Sequence, residues 1–211
     1  MSRRSRSGSW VVGRPYSLGL PRQDTLTRAF GGGLPRGGIV LVEGDYGSGK
    51  SVLSGRFAHG LCSEGHDVTL FSTERPVGTF LSQMLSLSYD VRAAIHRRQL
   101  LYLYGDIAGL SRDTDEPPEL LARLTNAERM WECDVAILDS FGDVLRYDPR
   151  FERLVESMDR RRATREIVSF FREIVADGRT VVLTVDPTGL SEEILDPFRT
   201  AEILLQKIES T

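Results

Sequence analysis

Eight consecutive residues, Gly44-Asp45-Tyr46-Gly47-Ser48-Gly49-Lys50-Ser51, satisfy the Walker A pattern G-x-x-x-x-G-K-S/T. The spacing has a chemical reason. Such a loop must curl around a phosphate with its N–H groups pointing inward, and glycines allow the backbone angles and the close approach. A helix that opens at the end of the loop adds unpaired N–H groups and the positive end of its dipole. Lys50 then reaches the β- and γ-phosphates as a point charge, and the Ser51 hydroxyl is placed to ligate Mg²⁺. Lys50 and Lys207 are the only lysines among 27 basic residues. A lysine here, in a chain that otherwise uses arginine, marks a place that needs a compact charge.

Two further acids fit the same chemistry. Asp139 closes the apolar run Val135-Ala136-Ile137-Leu138 and is placed to hold Mg²⁺, directly or through water. Glu74 follows the run 67–73 and is the candidate catalytic residue, since it could orient or deprotonate an attacking water. Ser140 and the Thr184-Val185-Asp186 stretch lie at equivalent places after their strands. Asp186 suits a phosphate poorly because like charges repel, and its role stays open.

These residues need a scaffold that brings strand ends together. Apolar runs at 38–43, 67–73, 100–104, 135–139, 180–185 and 201–206 read as six strands. Between them, 52–62, 77–87, 119–131 and 151–176 read as helices, the last broken near Asp159. In 77–87 the residues Phe80, Leu81, Met84 and Leu85 form an apolar stripe that core packing would use. Residues 24–30 read as a short helix with Asp24 as N-cap, and 107–116 and 186–199 read as loops. Uninterrupted apolar strands that alternate with helices predict an α/β fold, a mostly parallel central sheet with helices on both faces. In such a sheet, ligands gather beyond the carboxyl ends of the strands, where the candidate residues fall.

The bulk composition narrows the class. The chain has 211 residues and 40% hydrophobic content, enough for one domain with a substantial core. Residues 1–20 read as a flexible basic arm ahead of a domain over 21–211, and no apolar run is long enough for a membrane-spanning helix. A net charge of −3 gives no global nucleic-acid footprint. Arg160, Arg161, Arg162 and Arg165 cluster within a short stretch and read as a solvated helix face. Cys62 and Cys133 form no C-x-x-C pair and read as reduced thiols of a cytosolic protein, and His59, His66 and His96 lack metal-ligand spacing.

Phe30-Gly31-Gly32-Gly33-Leu34-Pro35-Arg36-Gly37-Gly38, the phosphate loop, Ser72-Thr73-Glu74 and Ile137-Leu138-Asp139-Ser140 together resemble the RecA/KaiC-like ATPases. With the segment 42–51 and Met84-Leu85-Ser86-Leu87-Ser88-Tyr89-Asp90-Val91, the chain is similar to the archaellum motor accessory ATPases of the FlaH (ArlH) family over roughly residues 25–208. That resemblance implies a RecA-like three-layer fold and a cytoplasmic ATP-binding component of the archaeal motility filament. It implies hexameric rings that dock on the motor ATPase FlaI and membrane-associated motor components, with ATP binding rather than fast turnover in control. It carries Lys50, Ser51 and Asp139 over as ATP and Mg²⁺ residues and matches Glu74 to the catalytic glutamate of the superfamily. The chain stops at Ile208-Glu209-Ser210-Thr211, which reads as truncated before the segment that donates basic residues to a neighbouring subunit. With Asp186 at the sensor position, this points to slow hydrolysis. Two other functions share the core: a DNA-handling recombinase-like ATPase, and a KaiC-like ATPase that phosphorylates itself on Ser or Thr.

Overall fold

Every residue of β1 (Ile39–Gly44), β2 (Val68–Ser72), β4 (Val135–Asp139) and β5 (Thr180–Val185) is buried, as strands covered on both faces must be. With β3 (Leu100–Tyr104) and β6 (Ile203–Ile208) they form one six-stranded sheet in the order β3-β2-β4-β5-β1-β6. The computed structural model describes residues 14–19, 24, 27–28, 30–106, 119–200 and 203–208. Every pairing in the sheet is parallel: Ile39 lies opposite Val181 on one side and Ile203 on the other, and Val68 lies between Leu100 and Val135.

Alternation along each strand feeds two cores. Ile39, Leu41, Ala136, Leu138, Val181 and Leu183 face one side. There they meet α4 (Leu120–Asn126), α5 (Glu128–Trp131), α6 (Phe141–Tyr147), α7 (Pro149–Ser157), α8 (Arg160–Val175) and α9 (Glu192–Thr200). Val40, Val42, Val135, Ile137 and Val182 face the other, against α1 (Lys50–Ser63), α2 (Val77–Ser86) and α3 (Arg92–His96). This is the three-layer α/β arrangement expected from the sequence.

The stretch read as one helix over 119–131 is two, because Ala127 (φ −87°, ψ 77°) leaves the helical region between α4 and α5. The break near Asp159 is present: Met158 is extended and the Asp159 carboxylate accepts from Arg162 N–H at 2.8 Å to cap α8. Arg160, Arg161, Arg162 and Arg165 are exposed on that helix. In α2, Phe80 and Met84 are buried, whereas Leu85 stays 44% exposed.

Three expectations need correction. Residues 192–200 are helix α9, not loop: Ile194, Leu195 and Phe198 bury one face, which outweighs the helix-breaking cost of Pro197. The sixth strand is shifted by two residues, to Ile203–Ile208. Within the stretch read as a flexible arm, Tyr16 and Leu18 are fully buried, so the docked chain begins before residue 20. Tyr16 pairs with Leu34 in an antiparallel bridge, its hydroxyl donates to the Gly178 carbonyl at 3.1 Å, and the Arg36 guanidinium lies 3.8 Å over its ring. Residues 1–13 of the arm, the loop at 107–116 and much of the short helix at 24–30 lie outside the described residues; Thr27 and Arg28 are helical.

Candidate functional site

The carboxyl ends of β1, β2, β4 and β5 lie on one edge of the parallel sheet and bring Gly44, Ser72, Asp139 and Val185 to the same end. The loop 44–51 links β1 to α1. Gly49 caps the helix at φ 93°, ψ 9°, and Gly47 takes φ 80°. A Cβ would meet nothing within 4 Å at either position, so glycine is required by backbone conformation and not by space. Tyr46 stands 88% exposed on the loop.

Lys50 is only 9% exposed, and its ammonium donates to the carbonyl oxygens of Gly44 and Asp45 at 2.8 Å each. The ammonium therefore lies across its own loop, where its charge faces whatever the loop holds. Ser48 Oγ is buried in the same loop and has no hydrogen-bond partner among the described residues. An orphaned hydroxyl inside a ring of glycines and a lysine fits an oxyanion ligand.

Asp139 is the electrostatic centre. It is 2% exposed, and its Oδ1 accepts from Ser54 Oγ and Thr184 Oγ1, each at 3.2 Å. Its Oδ2 accepts from the Arg75 guanidinium at 3.1 Å and from Ser72 Oγ at 3.5 Å. Burial pushes the carboxyl above the ordinary Asp range. The Arg75 charge and hydrogen bonds from Ser51 and Thr184 oppose that rise, while the nearby charge of Glu74 adds to it. The loop bearing Ser51 and the residue after β2, Glu74, thus lie at the same sheet end as Asp139, and both affect its carboxyl.

Ser140 follows at φ 63°, a left-handed conformation unusual for serine, and its N–H donates to Thr184 Oγ1 at 2.7 Å. Thr184 therefore ties β5 to the end of β4 through both Asp139 and Ser140. Asp186 is turned to the chain around it: its Oδ1 accepts from Thr188 N–H at 2.8 Å and lies 4.0 Å from Arg146. Burial alone would raise this carboxyl. The Thr188 hydrogen bonds and the charges of Lys50 and Arg146 outweigh it and hold the group below its ordinary value.

Glu74 is exposed, and its backbone N–H donates to Ser72 Oγ at 3.3 Å. Its neighbour Thr73 donates to Asp143 Oδ2 at 3.3 Å. Asp143 pairs with Arg146 at 3.2 Å, and Arg146 also donates to the Asp186 carbonyl at 2.6 Å. Burial raises the Asp143 carboxyl, Arg146 pulls it down, and the Glu74 charge pushes it up again.

Sequence reasoning missed Ser54, Arg75, Asp143 and Arg146. Ser54 lies four residues after Lys50 and so shares its helix face, a spacing legible in the sequence. Asp143 and Arg146 are at i, i+3 on α6, a helix the sequence reading did not contain.

Among the described residues no three His, Cys, Asp or Glu side chains gather as a metal site. The oxygen donors of Ser51 and Asp139 suit a hard cation such as Mg²⁺, which in this setting also takes ligands from substrate phosphates. Among the described residues no helix is long and apolar enough to cross a membrane.

Comparison with known proteins bears on this geometry. Residues 19–198 match the family described as ATPase: KaiC. The archaeal flagellar ATP-binding protein FlaH of Methanocaldococcus jannaschii is 30% identical over 187 residues, covering 89% of this chain and 75% of that protein. The protein of the same name from Methanococcus voltae is 26% identical over 188 residues, covering 89% and 76%. The crystal structure of the flagellar accessory protein FlaH from Methanocaldococcus jannaschii superposes with a TM-score of 0.76 at 28% identity, covering 92% of this chain and 80% of that one.

Proposed function

The chain belongs to the FlaH group of the KaiC ATPase family, and from that premise we propose that it binds Mg-ATP in the loop 44–51 and uses binding, more than turnover, to govern assembly in an archaeal motility motor. The observation that carries this reading is that the loop bearing Lys50 and Ser51 lies at the same end of the parallel sheet as Asp139 and Glu74, with Lys50 folded back onto the loop. Curated relatives are named as archaeal flagellar ATP-binding proteins, which supports ATP as the nucleotide.

In this reading each residue has a role. The loop N–H groups and Lys50 hold the β- and γ-phosphates, and Ser51 with Asp139 would hold Mg²⁺, which neutralises phosphate charge when bound. Thr184 and Ser54 fix the Asp139 carboxylate in one orientation. Glu74 orients the attacking water and accepts its proton. Slow hydrolysis is expected because Arg146, which reaches the Asp186 carbonyl just past β5, is committed there and to Asp143. In this reading the ATP-bound form builds a hexameric ring that docks on FlaI at the cytoplasmic face of the membrane.

Light scattering with and without Mg-ATP, on wild type and Glu74→Gln, tests it. A ring that forms with ATP and persists in Glu74→Gln is the expected result. A monomer under every condition would contradict ring assembly by this chain.

A further inference from the structure

The Asp139 carboxylate already has a cation. Hydroxyls hold Oδ1, whereas the charged contact to Oδ2 comes from Arg75 at 3.1 Å. Arg75 is itself tethered on both sides. Its other guanidinium nitrogen donates to Gln83 on α2. Its backbone carbonyl accepts from Tyr102 Oη at 2.6 Å, and the Tyr102 ring stacks on Phe80, centroids 4.3 Å apart. Pro76 follows directly and opens α2. The main chain at 75 is therefore pinned between β3 and α2, while the guanidinium hangs on a flexible stem between two acceptors.

We propose that Arg75 is a built-in competitor for the metal: Asp139 exchanges the guanidinium for nucleotide-bound Mg²⁺, and Arg75 rotates away while the backbone bearing Glu74 stays in place. This rests on the nucleotide reading above. The physical ground is that a buried carboxylate holds one strong cation at its open oxygen, and a guanidinium and a hydrated divalent ion cannot share it. The exchange also breaks or remakes the Arg75–Gln83 contact, so it reports the loaded site to α2, whose Val77 and Leu85 are exposed. Metal without nucleotide must displace Arg75 unaided, so Arg75 keeps the site selective for the Mg²⁺–nucleotide complex.

The test uses a fluorescent ATP analogue bound by wild type, Arg75→Gln and Gln83→Ala, titrated with Mg²⁺ from an EDTA-treated start. The readouts are the Mg²⁺ concentration at half-maximal enhancement and the ratio of analogue affinities with and without Mg²⁺. A general loss of structure would not raise that ratio. Removal of an opposite charge in contact with a buried carboxylate should lower the Mg²⁺ midpoint about tenfold or more in Arg75→Gln. Gln83→Ala, which only frees the guanidinium, should lower it about two- to tenfold, as loss of one hydrogen bond would. If Arg75→Gln does not fold, Gln83→Ala decides alone. A midpoint that is unchanged or raised in the folded variants overturns the inference while leaving nucleotide binding intact. Failure of wild type to bind the analogue with Mg²⁺ present overturns the nucleotide reading, and the inference with it.

Discussion

Arg199 grips both oxygens of Glu43, with Nε 2.7 Å from Oε1 and a terminal nitrogen 3.0 Å from Oε2. Glu43 is 6% exposed and immediately precedes the phosphate loop, so the pair joins α9 to the end of β1. The Glu43 and Glu192 carboxylates hold the guanidinium firmly in its charged form. Truncation by Arg199→Ala removes the guanidinium that donates to both oxygens of the buried Glu43. Because the arginine is partly exposed, the loss should fall toward the lower end of the about 3–5 kcal/mol typical of broken buried pairs. Chemical denaturation measures it, and an unchanged midpoint would show that the pair does not stabilise the fold.

Glu74→Gln should separate binding from turnover. The carboxylate is exposed, so ATP affinity should stay within about twofold, whereas loss of a general base typically costs about 10²–10⁴ in rate. Single-turnover hydrolysis against ATP titration tells the two apart. Equal rates in the two proteins would remove Glu74 from the chemistry.

Stability should carry a pH signature from the buried acids. Burial raises Asp139 and Asp143, so the folded state holds protons there more tightly than the unfolded chain. The stability they contribute is full below the ordinary Asp value of about 3.9 and is lost as pH rises through the raised folded values. Asp143→Asn removes one such group. Its stability relative to wild type should therefore improve as pH rises from 4 toward 7. Denaturation curves across that range check the sign, and a difference that shrinks with pH contradicts it.

The docked segment before residue 20 should be part of the folding unit. Tyr16 is fully buried, and its backbone lies so close to Gly33 that a Cβ there would stand 2.1 Å from the Tyr16 carbonyl oxygen. Tyr16→Ala should cost about 3–5 kcal/mol, as large aromatic truncations do. A loss below about 1 kcal/mol would mean that the segment merely rests on the surface.

Much of this was legible in the chain. The six apolar runs became six parallel strands, with the unbroken Val, Ile and Leu of β1, β2, β4 and β5 buried on both faces, and the Asp159 break followed from a capping residue ahead of an amphipathic stretch. Lys50, Ser51, Asp139 and Glu74 could be placed because each ends a strand or opens a helix. Helix α9 was hidden by Pro187, Gly189 and Pro197, since its stability comes from Ile194, Leu195 and Phe198 packing on a distant core. Arg75 and Arg199 were hidden for the same reason. A lone arginine acquires meaning only when the fold carries a carboxylate 64 or 156 residues away to it.

The most direct measurement is calorimetric titration of ATP with Mg²⁺ into wild type and Lys50→Ala. Charge-assisted contacts from Lys50 to the phosphates would be worth about 1.5–3 kcal/mol each, so the variant should bind ATP at least about tenfold more weakly. Equal affinities in the two proteins would contradict nucleotide binding at the loop 44–51.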